Sequence, residues 1–139
     1  MARTTFNGPV ASQNGFISGH QVTAANAVNA TGTATAAQVA SGYITSTSAA
    51  ATTITLPTGT ALGSLIGATQ GTTLDLFIDN TAGANVVTVA VNTNAILSSA
   101  AADTAGSFGD LTVAAGATGL ARYTIMFSSP TAYVFTRTA

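Results

Sequence analysis

The side chains that could do acid–base or nucleophilic chemistry are few in this sequence. The chain has no glutamate, lysine or cysteine, and its candidates are one histidine and four aspartates: His20, Asp75, Asp79, Asp103 and Asp110. General acid–base catalysis needs a group that titrates near neutrality or two carboxylates held in different environments. His20 lies in a glycine-containing stretch, and no G-x-S-x-G motif supplies a nucleophile for it to activate. The sequence therefore predicts a protein that is not an enzyme and that uses no cofactor.

The same small set of candidate side chains argues against metal and phosphate sites. Zinc sites use three or four Cys, His or carboxylate ligands, and no glycine-rich phosphate-binding motif is present. Calcium takes clustered oxygen ligands. Asp75 and Asp79 would share one face of a strand, while Asp103 and Asp110 lie in a polar stretch without EF-hand spacing. Two interpretations stay open for these carboxylates: solubilising or turn-forming residues, or ligands of a structural ion at a subunit contact.

Charge is scarce along the whole chain. Charged residues make up 5% of the 139 residues, whereas soluble proteins carry about 25%. Residues 4–74 contain no aspartate, glutamate, lysine or arginine, so little electrostatic repulsion keeps copies of the chain apart. Since the hydrophobic fraction is 47% at a net charge of −1, intrinsic disorder is not expected. The composition favours a folded, single-domain protein that associates with other protein surfaces.

Several partner classes and compartments are excluded on similar grounds. Three arginines among four aspartates cannot form the positive stripe that nucleic-acid binding requires. No apolar run approaches the roughly 20 residues that span a bilayer, and the start, MARTTFNGPV, lacks the apolar core of a signal peptide. We therefore expect no contact with nucleic acid or membrane, and synthesis in the cytoplasm without a secretion step.

Alternation of apolar side chains predicts two hairpins. In TTLDLFID, residues 72–79, the leucines and the isoleucine fall on one face, and NVVTVAV, residues 85–91, alternates likewise. The intervening NTAGAN suits a chain reversal, so residues 75–91 are predicted to form a hairpin. A second hairpin is predicted near the C-terminus, with a turn that contains Pro130. Its strands would each place aromatic or apolar residues on one face: Tyr123, Ile125 and Phe127, then Tyr133 and Phe135.

Further strands are predicted in ATTITLP (51–57) and GYITSTS (42–48), which gives six to eight in total. Helix signals are weak, with one short turn at residues 60–67 and another in 94–109, because Gly, Ser and Thr interrupt both. No fixed period supports a solenoid or ice-binding repeat. The predicted fold class is all-β: an antiparallel β-sandwich or jelly-roll-like domain with an extended N-terminal arm.

The N-terminal segment differs from the rest of the chain. FNGPVASQNGFISG, residues 6–19, holds widely spaced aromatics, three glycines and a proline without a sustained period. We interpret residues 1–35 as an extended arm with a low-complexity segment and 36–139 as the antiparallel β domain. The arm either docks on a neighbouring molecule or is a frayed terminus.

The arginines are polar candidates for contacts, either with an aspartate of the same or a neighbouring subunit or with solvent. Together with arm residues, they make up a predicted interface with other protein subunits: Arg3, Phe6, Pro9, Phe16, Arg122 and Arg137.

Four stretches carry a resemblance to a known family. They are FNGPVASQNGF, ATTITLPTGTALGSLIG, GTTLDLFIDNTAGANVVTVAV and YTIMFSSPTAYVFTRTA. This layout resembles the small β-rich head decoration (cement) proteins of tailed bacteriophages, particularly those of marine and freshwater bacteria including cyanobacteria. The resemblance implies a homotrimer on the outer surface of the virion that clamps neighbouring major capsid subunits, and it implies no catalytic residues. The absence of Lys and Glu departs from that family.

A second function class is kept open. A phage fibre or adhesin domain that binds a host receptor or glycan would use exposed aromatics beside Asp or Asn at loop tips, and the candidate residues are Tyr43, Tyr123 and Tyr133. A depolymerase would need a carboxylate pair in a groove, which a chain without glutamate is poorly equipped to provide.

Overall fold

A computed structural model describes residues 26–97 and 110–139 of the chain. These ranges hold nine strands, two α-helices and one 3₁₀ turn at Gly116–Thr118. The strands are β1 (Gly32–Thr33), β2 (Tyr43–Thr45), β3 (Thr52–Thr55), β4 (Thr73–Asp79), β5 (Val87–Ala90), β6 (Ala95–Leu97), β7 (Thr112–Val113), β8 (Leu120–Ser129) and β9 (Ala132–Arg137). The helices are α1 (Ala36–Ala40) and α2 (Gly59–Ile66).

The strands form two mixed sheets. A four-stranded sheet has the order β1-β3-β5-β7, and a five-stranded sheet has the order β2-β4-β8-β9-β6. The pairs β1–β3, β3–β5, β2–β4 and β6–β9 are parallel, whereas β5–β7, β4–β8 and β8–β9 are antiparallel. The predicted all-β antiparallel sandwich or jelly roll is therefore wrong: the fold is mixed α/β. Alternation reports which face of a strand is buried but not the direction of its neighbour.

The predicted hairpin at residues 75–91 is also wrong. β4 and β5 do form, but they lie in different sheets, and residues 80–86 carry the chain from one sheet to the other. The side chain of Asn80 is fully buried in this link and donates to the carbonyls of Asn85 (2.9 Å) and Ala114 (2.9 Å). Both strands bury one face in the same core. Each therefore shows the alternation of apolar residues, although the two strands do not pair with each other.

The C-terminal hairpin is confirmed. β8 and β9 pair antiparallel around a turn that contains Pro130. The side chains predicted to share a face are all at most 1% exposed. Phe127 packs against Tyr133 with ring centroids 5.4 Å apart, and Tyr123 meets Phe135 edge-on at 6.2 Å. This hairpin supplies the largest side chains of the core.

One hydrophobic cluster joins the two sheets. Ile54, Val87 and Val89 of the four-stranded sheet belong to the same cluster as Leu76 and Ile78 of the five-stranded sheet. The strand predicted at 51–57 is thereby confirmed, and the one predicted at 42–48 is present as β2. The inward faces of the two sheets are therefore one core.

Two helices close one side of this core. Thr35 caps α1 in a capping box with Gln38, and Thr58 caps α2 by accepting from the amide of Ala61. The short turn predicted at 60–67 is thus an eight-residue helix, while α1 was not predicted. Within 94–109, where another turn was expected, β6 forms and the residues after Leu97 lie outside the described ranges.

α2 lies close to the hairpin turn because Gly63 has no side chain, and a Cβ there would collide with the carbonyl of Pro130. Among the described residues, no helix is long and apolar enough to cross a membrane.

Candidate interaction face and cleft

The solvent-facing side of the five-stranded sheet carries an unusual mixture of side chains, and we call it the outer face. Strand register aligns its members in rows: Phe77 lies between Tyr43 and Arg122, and Asp75 lies opposite Thr124. Alternation turns these residues away from the core, since their strand neighbours are buried. The outer face consists of Tyr43, Thr45, Thr73, Asp75, Phe77, Asp79, Ile96, Leu120, Arg122, Thr124, Met126 and Val134.

Exposed apolar side chains concentrate on this face. Seven large hydrophobic residues are exposed in the described ranges, and five of them belong to the outer face. These five are Tyr43 (43% exposed), Phe77 (37%), Ile96 (55%), Leu120 (50%) and Met126 (49%). Scattered exposed apolar residues are normal, but their collection on one sheet face is typical of an interaction surface.

An ion pair lies at the middle of the outer face. The Nη2 of Arg122 donates to Oδ2 of Asp75 at 2.8 Å, and the hydroxyl of Thr124 donates to Oδ1 at 2.7 Å. The hydrogen bond from Thr124 and the charge of Arg122 hold the pKa of Asp75 below its usual value. The guanidinium of Arg122 also lies 5.9 Å from the centre of the Phe77 ring, in cation–π range.

A second carboxylate lies along the same strand without a cation beside it. Asp79 accepts from the amide and hydroxyl of Thr81, at 2.9 and 2.6 Å, and from the hydroxyl of Tyr43. These bonds, led by those from Thr81, lower the pKa of Asp79, and the bond to Asp79 raises the pKa of Tyr43. Within residues 26–97 and 110–139, Asp79 forms no salt bridge.

A cleft of about 610 Å³ opens at the β2 end of the outer face. One wall is the turn from α1 into β2, and the other is formed by β4 and β8; the lining includes Ser41, Gly42, Tyr43, Asp75, Phe77 and Arg122. Gly42 allows the turn from α1 into β2 to approach β4 closely. It adopts φ +77°, and a Cβ there would come within 3.1 Å of the carbonyl of Asp75.

The cleft combines aromatic, hydroxyl and ionic groups. It offers two aromatic rings, hydroxyl groups and one ion pair, and both of its ionisable partners are already engaged with each other. Within the described ranges, no group of three or more His, Cys, Asp or Glu side chains lies together as a metal site would require. Asp75 and Asp79 do share a strand face, as predicted, but protein donors occupy both of them.

The residues predicted to form an interface have different locations. Arg122 lies on the outer face. Arg137 lies on the core side instead, where Nη1 donates to Oδ2 of Asp110 (2.9 Å) and to the carbonyl of Thr112 (2.7 Å). Both arginines thus pair with an aspartate of the same chain, which was one of the predicted alternatives. The remaining predicted residues lie outside the described ranges: Arg3, Phe6, Pro9 and Phe16.

Of the three tyrosines proposed for glycan contact, only Tyr43 is exposed. Tyr123 and Tyr133 are 1% and 0% exposed and donate to the carbonyls of Asp110 (3.2 Å) and Pro57 (2.7 Å), so their proposed exposure was wrong. Their position on the same strand faces as Ile125, Phe127 and Phe135 already indicated burial.

Five apolar residues of the outer face were not identified as site residues from the sequence: Phe77, Ile96, Leu120, Met126 and Val134. Phe77 did give a signal, because it stands between two aspartates on the predicted polar face of its strand.

Comparison of the chain with protein families, with curated proteins and with solved structures found no match. Function is therefore inferred from the residues of the outer face and the cleft.

Proposed function

We propose that the protein is a non-catalytic structural component of a phage virion, where it decorates the capsid and clamps neighbouring major capsid subunits as a homotrimer. The observation that supports this proposal is the concentration of exposed apolar residues on the outer face, around the Arg122–Asp75 pair. The resemblance of the sequence to phage decoration proteins supplies the identity of the partner.

The outer face has the composition of a protein–protein interface. Aromatic residues, methionine and arginine are enriched in such interfaces. Tyr43, Phe77, Met126 and Arg122 supply those residue types on one sheet face. Burial of this face against another protein removes apolar surface from water, at roughly 25 cal/mol per Å². The low charge of the chain as a whole reduces the desolvation cost of such contacts.

Trimeric attachment compensates for weak individual contacts. A trimer bound at three equivalent points gains effective concentration, so its avidity exceeds the affinity of one contact by about 10²–10⁴. In this role the protein is made in the host cytoplasm and ends on the outer surface of the capsid, where neither nucleic acid nor membrane is its ligand.

The test compares two matched lysine substitutions. Met126 on the outer face is 49% exposed, and Val91, outside that face, is 50% exposed. We expect Met126→Lys to weaken both trimer formation and binding to capsids stripped of the protein by at least tenfold, because it places an unpaired charge in the interface. Val91→Lys should leave both unchanged. Sedimentation of particles with bound protein measures the binding, and the heat resistance of the particles measures the clamp.

Two results would refute the clamp. One is a wild-type protein that stays monomeric and neither binds stripped capsids nor raises their heat resistance. The other is an equal loss of binding in both lysine variants, which would show that the outer face has no special role.

A second function is favoured by one arrangement in the cleft. Tyr43, Phe77 and Asp75 line the cleft, and Asp79 lies next to it, bonded to the hydroxyl of Tyr43. Rings beside carboxylates are suited to stacking on a sugar and accepting hydrogen bonds from its hydroxyl groups. A fibre or adhesin domain that binds a host glycan would use this arrangement. A glycan array should then give a defined hit that Tyr43→Ala abolishes, whereas an array without hits removes this alternative.

A further inference from the structure

The described chain begins at the margin of the cleft. The side-chain amide of Asn26 donates to the hydroxyl of Ser41 (2.7 Å) and to the carbonyls of Tyr43 (2.6 Å) and Gln38 (3.0 Å). Ser41 and Tyr43 are themselves residues of the cleft wall. Asn26, the first described residue, is therefore held beside the cleft wall.

The first described residues, 26–28, pair with the edge of β2. Ala27 forms a parallel bridge with Thr45, supported by bonds from Val28 N to Thr45 O (2.9 Å) and from Thr45 N to Asn26 O (3.0 Å). The backbone carbonyl of Tyr43, two residues earlier in β2, accepts from the side-chain amide of Asn26. The N-terminal segment is therefore joined to the described chain at the margin of the cleft.

From this geometry we propose that the cleft is the binding site for the N-terminal segment of this chain, residues 1–25. The segment contains apolar side chains that match the aromatic lining, among them Phe6 and Phe16. The exposed rings of Tyr43 and Phe77 both line the cleft. Burial of phenylalanine against aromatic rings is favourable by area and by edge-to-face contact.

Charge complementarity supports the same occupant. The chain has three arginines, and two of them are used in the pairs Arg122–Asp75 and Arg137–Asp110. Arg3 is the third, and it belongs to the N-terminal segment. Of the aspartates in the described ranges, Asp79 alone forms no salt bridge, and it lies on the outer face at the β2 end. Arg3 and Asp79 are therefore complementary charges.

The segment is long enough for this site on its own chain or on an adjacent copy. Twenty-five residues span at most about 80 Å when extended, whereas a 100-residue domain has a radius of gyration of about 13 Å. Binding to an adjacent copy would deepen the proposed function, because it would link the protomers of the trimer. Binding within one chain would instead cover the cleft in each protomer.

The absence of cysteine makes a direct test possible in the full chain. Thr4→Cys is combined with Thr45→Cys, which lies opposite Asp79 on the outer face, or with Thr55→Cys on the four-stranded sheet. Thr45 and Thr55 are both half-buried strand residues, so they form a matched pair. Under mild oxidation of the isolated protein, we expect at least tenfold more disulfide with residue 45 than with residue 55. A monomeric product shows binding within one chain, and a dimeric product shows exchange between copies.

A second measurement avoids the introduced cysteines. The chain has no lysine, so Arg3 is the first trypsin site and the next is Arg122. We expect Asp79→Asn to accelerate cleavage after Arg3 several-fold, read by mass spectrometry, and Thr55→Ala to leave it unchanged. Equal cross-linking to residues 45 and 55, or cleavage after Arg3 that is insensitive to Asp79→Asn, would overturn the proposal. Both measurements use the isolated protein, so their failure is distinguishable from a failure to bind capsids.

Discussion

The two arginine–aspartate pairs of the described chain lie in opposite environments. Arg122 and Asp75 lie on the outer face with 43% and 39% of their side chains exposed, whereas Arg137 and Asp110 are only 19% and 7% exposed. The second pair joins β9 of one sheet to the segment that begins β7 of the other. In a chain with so few charges, one pair is thus used to hold the sheets together and the other is presented to solvent.

Two tyrosines show the same contrast between a buried and an exposed polar side chain. Tyr133 is buried and donates to the carbonyl of Pro57 at 2.7 Å, while Tyr43 is 43% exposed and donates to Asp79 on the outer face. The comparison teaches that residue type alone does not reveal whether a polar side chain stabilises the fold or forms part of a surface. Substitutions of matched residues can separate the two roles.

The largest effect is expected from Arg137→Ala. It leaves the carboxylate of Asp110, which is 7% exposed, without its arginine partner. Removal of one partner of a buried pair is strongly destabilising, and with Arg137 partly exposed we expect a loss of about 2–4 kcal/mol in the free energy of unfolding. Urea denaturation measures it. Arg122→Ala is the control, with an expected loss below about 1 kcal/mol because its pair is solvent-exposed. Equal losses would abolish the distinction between the two pairs.

A smaller effect is expected from Tyr133→Phe. The substitution removes the hydroxyl that donates to Pro57, and a buried carbonyl without a donor costs about 1–2 kcal/mol. Thermal unfolding followed by circular dichroism should show the loss as a lower melting temperature. Tyr43→Phe removes an exposed hydroxyl, so its melting temperature should change little. A larger drop for Tyr43→Phe than for Tyr133→Phe would reverse the assignment of roles.

The smallest effect is expected on the stability of the fold at acidic pH. The pKa values of Asp75 and Asp79 are lowered in the fold, chiefly by hydrogen bonds from Thr124 and Thr81. Both groups therefore stabilise the fold above the ordinary aspartate pKa of 3.8, and this contribution is lost as the pH falls through their lowered values. We expect the urea midpoint to be level from about pH 8 to pH 5 and to fall below about pH 4. Asp79→Asn should make this fall shallower, and an unchanged acid profile would contradict the assignment.

Much of the local structure was predictable. The terminal hairpin, its turn at Pro130 and the buried face with Tyr123 and Phe135 follow from alternation over two adjacent strands joined by a short link. The buried face of β4 was predicted from alternation alone. The terminal hairpin depends on neighbours in sequence, where a short turn leaves few alternative pairings.

Strand partners and helices were less predictable. The link from β4 to β5 reads as a hairpin turn, yet burial of Asn80 against the carbonyl of Ala114 directs the chain into the other sheet. α2 forms although glycines interrupt it, because Gly63 allows the helix to pack against the turn at Pro130. Both outcomes depend on contacts between residues far apart in the chain, which periodicity does not report.

The candidate site was predicted only in part. Arg122 was identified as a contact residue and lies on the outer face, whereas its row with Tyr43 and Phe77 depends on the pairing of three strands from separate parts of the chain. The low charge and the strand alternation were determined by the sequence alone, because composition and period are properties of the chain itself. Tertiary structure decided which strands became neighbours, which ion pair was buried and which face collected the exposed apolar residues, because each depends on the burial of distant segments in one shared core.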